Sequence, residues 1–568
     1  MHCHPDTSWK SRRPIVNAIV AWLLLYTAPA SADDWCVGIG KTPSRNGASS
    51  VVGPMKSDLL WAGGRDSILG DQPVCAGGLL VSTRVVGWDA IWDSVIVAQD
   101  LMTGAERWNT VLPVQSADPG RSRVTGFRDG RVYATRAAGP SKPDYLFALD
   151  PADGSVLWRS QDVIAETWGE SVGFTEDGDV LVRSPVGLMR IDGATGITVW
   201  STAISIQEGS CGAAAFGQRV YAWERLSGGP RLCALDLATG AKLYAGPVLS
   251  GGTIQQVAPF VGPDGTVYAP RSQGDVASDY LVAYEDTGAA LVEKWRGPLG
   301  FVPFASFAVG ADGGVYSYST TRSGSTATLR VLKLDADSGS VLAQSPALAS
   351  DYPVQPKLAL DAQGKVFVTN GSYERGKLFA LAPDLSLLWS VALPDIGRGG
   401  PILADDGVLV VTGSGSDVRA YRSANPAIVG GTVLLQQRTA VAGMQSVLEF
   451  REPGSLDVLH SCPITLDAQG SYAGCEVPVG TYDVALRFPH FLRSVQQSVS
   501  LAPGTNTVSF CLSNGDVDDN NAIGLGDLNI VLLRFSSTDP AGDRDGDGIV
   551  GLSDMNLVLL NFGLVGAP

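Results

Sequence analysis

Short runs of β-branched and aromatic residues, broken by Gly and Asp, set the pattern from about residue 95 to residue 425. One phrase, FALDPADGSVLW at 147–158, runs apolar, turns at an Asp-Gly pair and ends on an aromatic. It returns as VAQDLMTGAERW at 97–108, MRIDGATGITVW at 189–200 and CALDLATGAKLY at 233–244. The copies are anchored at Asp100, Asp150, Asp192, Asp236, Glu285 and Asp335, spaced 42 to 50 residues apart. Two decayed copies follow, FALAPDLSLLW at 379–389 and VRAYRSAN at 418–425. A second element precedes each phrase, as in DGRVYATR from Asp129 and DGTVYAPR from Asp264.

Both elements read as strands with turns attached, because Asp-Gly and Thr-Gly supply the positive φ that tight reversals need. A period of this length built from short strands predicts a β-propeller, one four-stranded blade per repeat. The closing aromatics Trp108, Trp158, Trp200, Tyr244, Trp295 and Trp389 are expected to pack between blades. The Asp residues are expected to bond amides of their own turns. Ala343 replaces the aromatic in the sixth copy and the eighth lacks it, so seven or eight blades are expected.

The phrase resembles the PQQ-binding-like β-propeller repeat, Ala-x-Asp-x-x-Thr-Gly-x-x-x-Trp. Ala98, Asp100, Thr103, Gly104 and Trp108 match it fully; Ala148, Asp150, Gly154 and Trp158 match with Asp153 in place of Thr. The resemblance implies a propeller over about residues 50–425 and invites comparison with quinone-dependent dehydrogenases. Such enzymes commonly carry an adjacent Cys-Cys pair or a Cys-x-x-Cys-His haem site, and neither is present here. No histidine lies between His4 and His460, which removes the commonest general base. PQQ is therefore not expected, and no catalytic residue is assigned. A glycosidase would need two carboxylates across a cleft, and nothing in the pattern singles out a pair. Trp223, Arg225, Tyr318, Arg322 and Tyr373 are candidates for a ligand-binding rim.

After Pro426 the period stops. Residues 427–512 show strands and turns without a helical pattern, which predicts a small β-sandwich. The stretch LDAQGSYAGCEVPVGTYDVALRF resembles carboxypeptidase-regulatory or transthyretin-like modules, implying a spacer.

The last segment, 513–568, contains one text twice, GDVDDNNAIGLGDLNIVLLRF and GDRDGDGIVGLSDMNLVLLNF, offset by 27 residues. Counting from Asp516, the first loop offers Asp518, Asn520, the Ala522 carbonyl and Asp527 at positions 3, 5, 7 and 12. Counting from Asp543, the second offers Asp545, Asp547, the Ile549 carbonyl and Asp554. A hard cation that wants six to eight oxygens fits this spacing, so two calcium ions are expected. Each loop runs into a helix whose apolar residues (Leu528, Val531, Leu532, Phe535; Met555, Val558, Leu559, Phe562) share a face. The pair resembles a type I dockerin, which implies attachment to a cohesin-like protein partner through 513–568. Leu525-Gly526 and Leu552-Ser553 depart from the small polar contact residues of that family.

The remaining features set the compartment. Residues 1–32 read as a signal peptide, with Lys10, Arg12 and Arg13, an apolar run from Ile15 to Tyr26 and a small-residue site at Ala30-Ser31-Ala32. That run is too short to span a bilayer. Seven cysteines then remain for an oxidising compartment. Cys462 and Cys475, placed across a hairpin turned at Ala468-Gln469, are the leading pair; Cys211 with Cys233 and Cys36 with Cys75 follow. A formal charge of −16 excludes nucleic acid as a partner, since nothing would neutralise phosphates. The expectation is a mainly β, secreted, non-catalytic binding or scaffold protein: signal 1–32, propeller 33–426, sandwich 427–512, and a small α-helical calcium-loop tail. The alternatives are a glycoside hydrolase component of a polysaccharide-degrading assembly and, more remotely, a quinone dehydrogenase.

Overall fold

A computed structural model describes residues 35–568 except 39, 68–71, 86–93, 114–120, 138–143, 166–171, 206–211, 251–256, 272–278, 301, 303–304, 352–354, 372–375, 394–398, 405–406, 413–415, 424–425 and 439. The expected signal peptide, Cys211 and Tyr373 lie outside the described residues.

The repeats fold as antiparallel sheets that follow one another around a ring, a β-propeller. Sheet 1 covers residues 74–110, sheet 2 121–159, sheet 3 172–203 and sheet 4 214–245. Sheets 5, 6 and 7 cover 260–298, 308–351 and 357–392. Sheet 8 is formed by Pro401–Ala404, Val408–Val411 and Ser416–Tyr421, with Leu59–Ser67 paired antiparallel to its third strand. The first strands of neighbouring sheets touch, and Pro401–Ala404 meets Val74–Ala76, so the ring closes. The strand from near the chain's start thus completes the last sheet.

The repeated phrase explains how neighbouring sheets are held together. Each Asp accepts hydrogen bonds from its own turn: Asp100 from Thr103 N–H (2.9 Å) and Oγ1 (2.8 Å), Asp236 from Thr239 N–H (2.9 Å) and Oγ1 (2.7 Å). The turn glycine, at φ near +70°, lies flat against the indole of the preceding sheet. A Cβ on Gly154 would come within 2.4 Å of Trp108, and one on Gly240 within 2.5 Å of Trp200. The indole N–H then reaches the carbonyl just after the Asp: Trp108 to Pro151 at 2.7 Å, Trp200 to Leu237 at 2.9 Å, Trp295 to Ala336 at 2.8 Å.

The eighth phrase has no aromatic of its own. Trp61, on the strand supplied from the chain's start, donates to the Leu101 carbonyl at 2.8 Å and covers Gly104. The closing joint therefore repeats the chemistry of the Trp108, Trp200 and Trp295 joints with a residue remote in sequence.

A second structural element has no counterpart in the sequence reading. Residues 35–38 and 40–53 contribute no strand to the sheets and run inside the ring, bonding to the first strand of sheet after sheet. Cys75 N–H donates to the Trp35 carbonyl (2.9 Å), Phe127 to Cys36 (2.8 Å), Ala215 to Pro43 (3.0 Å) and Val261 to Ser44 (2.8 Å). Val309 N–H donates to Asn46 (2.8 Å) and Leu360 N–H to Gly47 (3.0 Å). Arg45, only 3% exposed, donates to the Val172 (2.7 Å) and Ala213 (3.0 Å) carbonyls. Strand edges facing the axis would otherwise present buried, unpaired polar groups, and this segment satisfies them.

Residues 427–512 form two four-stranded sheets enclosing one apolar core. Cys462 and Cys475 are joined by a disulfide with Cα atoms 6.0 Å apart. Contrary to what the spacing predicts, the two cysteines do not face each other across a hairpin. Val458–Thr465 pairs with Gln445–Arg451, whereas Ser471–Val477 pairs with Ala427–Leu435, so the cystine links the two sheets across the core. The Asp467–Gly470 turn is a corner between sheets, since the alternation that suggests a hairpin also suits a sandwich edge.

Candidate functional site

The tail holds two helices, α1 (Leu525–Leu533) and α2 (Leu552–Leu560), each entered through one acidic loop. Val517, Ile523, Val531, Val550 and Val558 pack between them, joined by Leu492 from the sandwich.

Loop amides fold each acidic run back on itself. Asp543 Oδ2 accepts from Gly548 N–H (2.9 Å), and Asp516 Oδ2 accepts from Asn521 N–H (2.9 Å), so position 1 binds position 6 in both copies. Asn520 Oδ1 accepts from Ala522 N–H (2.8 Å) and Asp547 Oδ1 from Ile549 N–H (2.9 Å), which turns the position 5 side chains inward. Both position 6 residues have positive φ, +68° for Asn521 and +93° for Gly548, as the bend requires.

The carboxylates converge. Oxygens of Asp516, Asp518 and Asp527 lie within 4.8 Å of one another, as do those of Asp543, Asp545 and Asp547. Asp554 accepts from Arg544 N–H (2.5 Å), Asp545 N–H (3.2 Å) and Gly551 N–H (2.7 Å), as Asp527 does from Val517, Asp518 and Gly524 in the first loop. Asp516 is fully buried, yet its Oδ1 has no hydrogen-bond partner, and that burial pushes its pKa up. An orphaned, buried carboxylate oxygen facing two further acids suits a hard divalent cation.

The sandwich grips the first loop. Arg487 donates to Asp516 Oδ2 (2.9 Å) and to the Asp519 carbonyl (2.6 Å), and His490 N–H donates to Asp519 Oδ1 (2.6 Å). The second loop is touched by Arg438, which donates to the Asp543 carbonyl at 3.2 Å. Further on, Asn561 Nδ2 bonds Gln436 Oε1 at 2.6 Å. Residues 427–512 and the tail thus share a polar interface that loop spacing could not reveal.

The expected single apolar helix face is divided. Val531 and Val558 are buried, but Leu532, Phe535, Leu559 and Phe562 are nearly half exposed, and Leu533 and Leu560 are 83% and 67% exposed. The same positions are bare in both repeats, an exposed apolar surface larger than isolated side chains explain.

Two of the expected rim residues belong to the core. Trp223 (1% exposed) donates to the Val257 carbonyl at 3.1 Å, and Tyr318 (0%) to the Ser306 carbonyl at 2.6 Å. Arg322 does sit at an exposed strand end, and Arg225 lies on a strand of sheet 4. Alternation cannot separate an aromatic facing a neighbouring sheet from one facing a loop. Among the cysteines, Cys36 and Cys75 are both buried, and Cys233 places its thiol 3.3 Å from Glu224 Oε2. Among the described residues no helix is long and apolar enough to cross a membrane.

A protein-family model described as outer membrane protein assembly factor BamB matches residues 92–296 and 327–444, more than half of the chain. No curated protein matches. Among solved structures, BamB from Moraxella catarrhalis is 14% identical, covering 64% of this chain and 99% of that one, with a TM-score of 0.31. The quinohemoprotein alcohol dehydrogenase ADHIIG of Pseudomonas putida HK5 is 13% identical, covering 69% and 80%, with a TM-score of 0.36. A type II cohesin–X-dockerin complex from Acetivibrio cellulolyticus is 19% identical, covering 25% and 97%, with a TM-score of 0.21. Likenesses at this level transfer no function.

Proposed function

Because the chain belongs to the family described as outer membrane protein assembly factor BamB, we propose that it is a secreted, non-catalytic binding protein. In this reading an eight-bladed propeller binds a ligand or protein at its rim and the sandwich is a spacer. A dockerin-like tail folds around two calcium ions and attaches the chain to a protein partner. Counting each sheet as one blade, with Leu59–Ser67 as the outer strand of the last, supports eight.

The observation that carries the reading is the duplicated loop geometry: two converging carboxylate groups, one with an orphaned buried oxygen, feed helices whose outward apolar residues repeat at the same positions. Asp516, Asp518, Asn520 and Asp527 would hold one ion, and Asp543, Asp545, Asp547 and Asp554 the other, with Ala522 and Ile549 offering carbonyls. Calcium there supplies charge neutralisation and folding energy rather than chemistry. The non-catalytic reading of the propeller is supported by the segment at 35–53, whose carbonyls bond to the first strands of six sheets inside the ring.

Chelation tests the tail. With free calcium about 100-fold above its dissociation constant, each ion stabilises the folded tail by about 2.7 kcal/mol. Chelator should therefore abolish the helical signal and protease resistance of residues 513–568 and leave the propeller intact. A tail that resists protease equally with and without calcium would overturn the proposal.

A further inference from the structure

Around the ring, two joints lack an indole: sheet 6 ends its phrase on Ala343 and faces a sheet 7 turn whose Leu385 is buried, whereas the joint between sheets 4 and 5 is left open. Sheet 4 ends its phrase on Tyr244, and the sheet 5 turn it faces, Glu285-Asp286-Thr287-Gly288, is one residue shorter between Ala283 and its glycine than the matching turn from Ala98 to Gly104. Gly104, Gly154, Gly196, Gly240 and Gly339 each lie against a tryptophan, whereas a Cβ on Gly288 would meet nothing within 4 Å. Gly288 instead lines a solvent-open cleft of about 590 Å³.

The cleft has a built wall. Tyr221 and Tyr244 donate to the two oxygens of Asp286 at 2.6 and 2.5 Å, Gly288 N–H adds a bond to Oδ1 at 2.8 Å, and Arg219 Nε donates to the Tyr244 hydroxyl at 3.1 Å. Burial pushes the Asp286 pKa up, but those bonds outweigh it and lower it from the ordinary carboxylate value. Asp264 and Glu285 also line the cleft, as do Phe216 and the Tyr221 ring. Three carboxylates against one guanidinium leave two negative charges uncompensated beside two aromatic rings.

We propose that this cleft binds an organic cation, an alkylguanidinium or alkylammonium group, with Asp264 and Glu285 pairing its charge and Phe216 and Tyr221 its aromatic contacts. A compact divalent ion does not match. Among the described residues, carboxylates converge within 4.8 Å in threes only in the two tail loops. A spread charge on an apolar stem suits separated acids and aromatic walls, where ion pairing and cation–π attraction act together. The protein's overall negative charge favours approach of such a ligand. Its source is either a free amine or a basic side chain of a polypeptide.

The test is calorimetric titration of the full chain, in calcium, with agmatine, with Nα-acetyl-arginine amide and with neutral maltose. Agmatine or the arginine amide should bind at or below about 10 mM, and more weakly as salt rises. The tighter of the two names the source, free amine or side chain. Asp264→Asn combined with Glu285→Gln should weaken binding about tenfold or more. Tyr244→Trp, which places an indole beside Gly288 as at the joints of Gly104, Gly154, Gly196, Gly240 and Gly339, should block it. Maltose binding as tightly as the cations, no cation binding at about 10 mM, or full affinity in both variants would each overturn the proposal.

Discussion

Substituting Gly154 by Ala tests the joint between sheets 1 and 2 directly. Gly154 has φ +74°, and a Cβ there would lie 2.4 Å from Trp108 Cε3 and 2.4 Å from Thr110 Oγ1, well inside carbon contact distance. The indole cannot retreat freely, since Trp108 is 7% exposed and its N–H is committed to Pro151. Left-handed backbone costs a non-glycine residue about 1–2 kcal/mol, and overpacking a rigid neighbour about 1–3 kcal/mol more. The expected loss is therefore about 2–5 kcal/mol. Gly288→Ala is the control: φ is +78° but no atom lies within 4 Å, so only the backbone cost of about 1–2 kcal/mol applies. Urea unfolding of the propeller in calcium, followed by tryptophan fluorescence, measures both. In a Trp108→Ala background, itself about 3–5 kcal/mol less stable, Gly154→Ala should shed its clash and show a coupling of about 1–3 kcal/mol. Equal costs at Gly154 and Gly288, or no coupling, would refute indole–glycine contact as what joins neighbouring sheets.

Acid should loosen the propeller through its turns. Arg107 and then Thr103 hold Asp100 at about 2, and hydrogen bonds from Thr195, Thr239 and Ser338 lower Asp192, Asp236 and Asp335. Folded values below the unfolded ones give stability that is present above about pH 4 and lost as pH falls toward 2. Thermal midpoints should drop across that window, and Asp100→Asn should flatten part of the drop. An unchanged midpoint from pH 5 to pH 2.5 would count against the turns. Arg45→Ala should leave the Val172 and Ala213 carbonyls unpaired inside the ring, at about 1–3 kcal/mol each. Hydrogen exchange should then quicken along residues 35–53, and exchange rates equal to wild type would show the segment is held by its other bonds.

What was readable in the linear chain was local. An Asp bonding an amide three residues on, a glycine at positive φ and a carboxylate at every second loop position are set by short spacings. The repeated turns and the acidic loops could therefore be placed by residue number from the text alone. The inward Val531 and Val558 were legible from helical period too, but their half-exposed neighbours were not, because a nine-residue helix carrying apolar residues all round does not show which side another element will cover. Tertiary structure alone decided that Trp61 replaces the missing eighth aromatic, that residues 35–53 line the ring, that Cys462 and Cys475 cross between sheets, and that one joint stands open beside Asp286. Each of these depends on which strand edges and side chains meet across tens to hundreds of residues. Ring closure and core packing fix such contacts, whereas alternation along a strand records only which side of it faces inward.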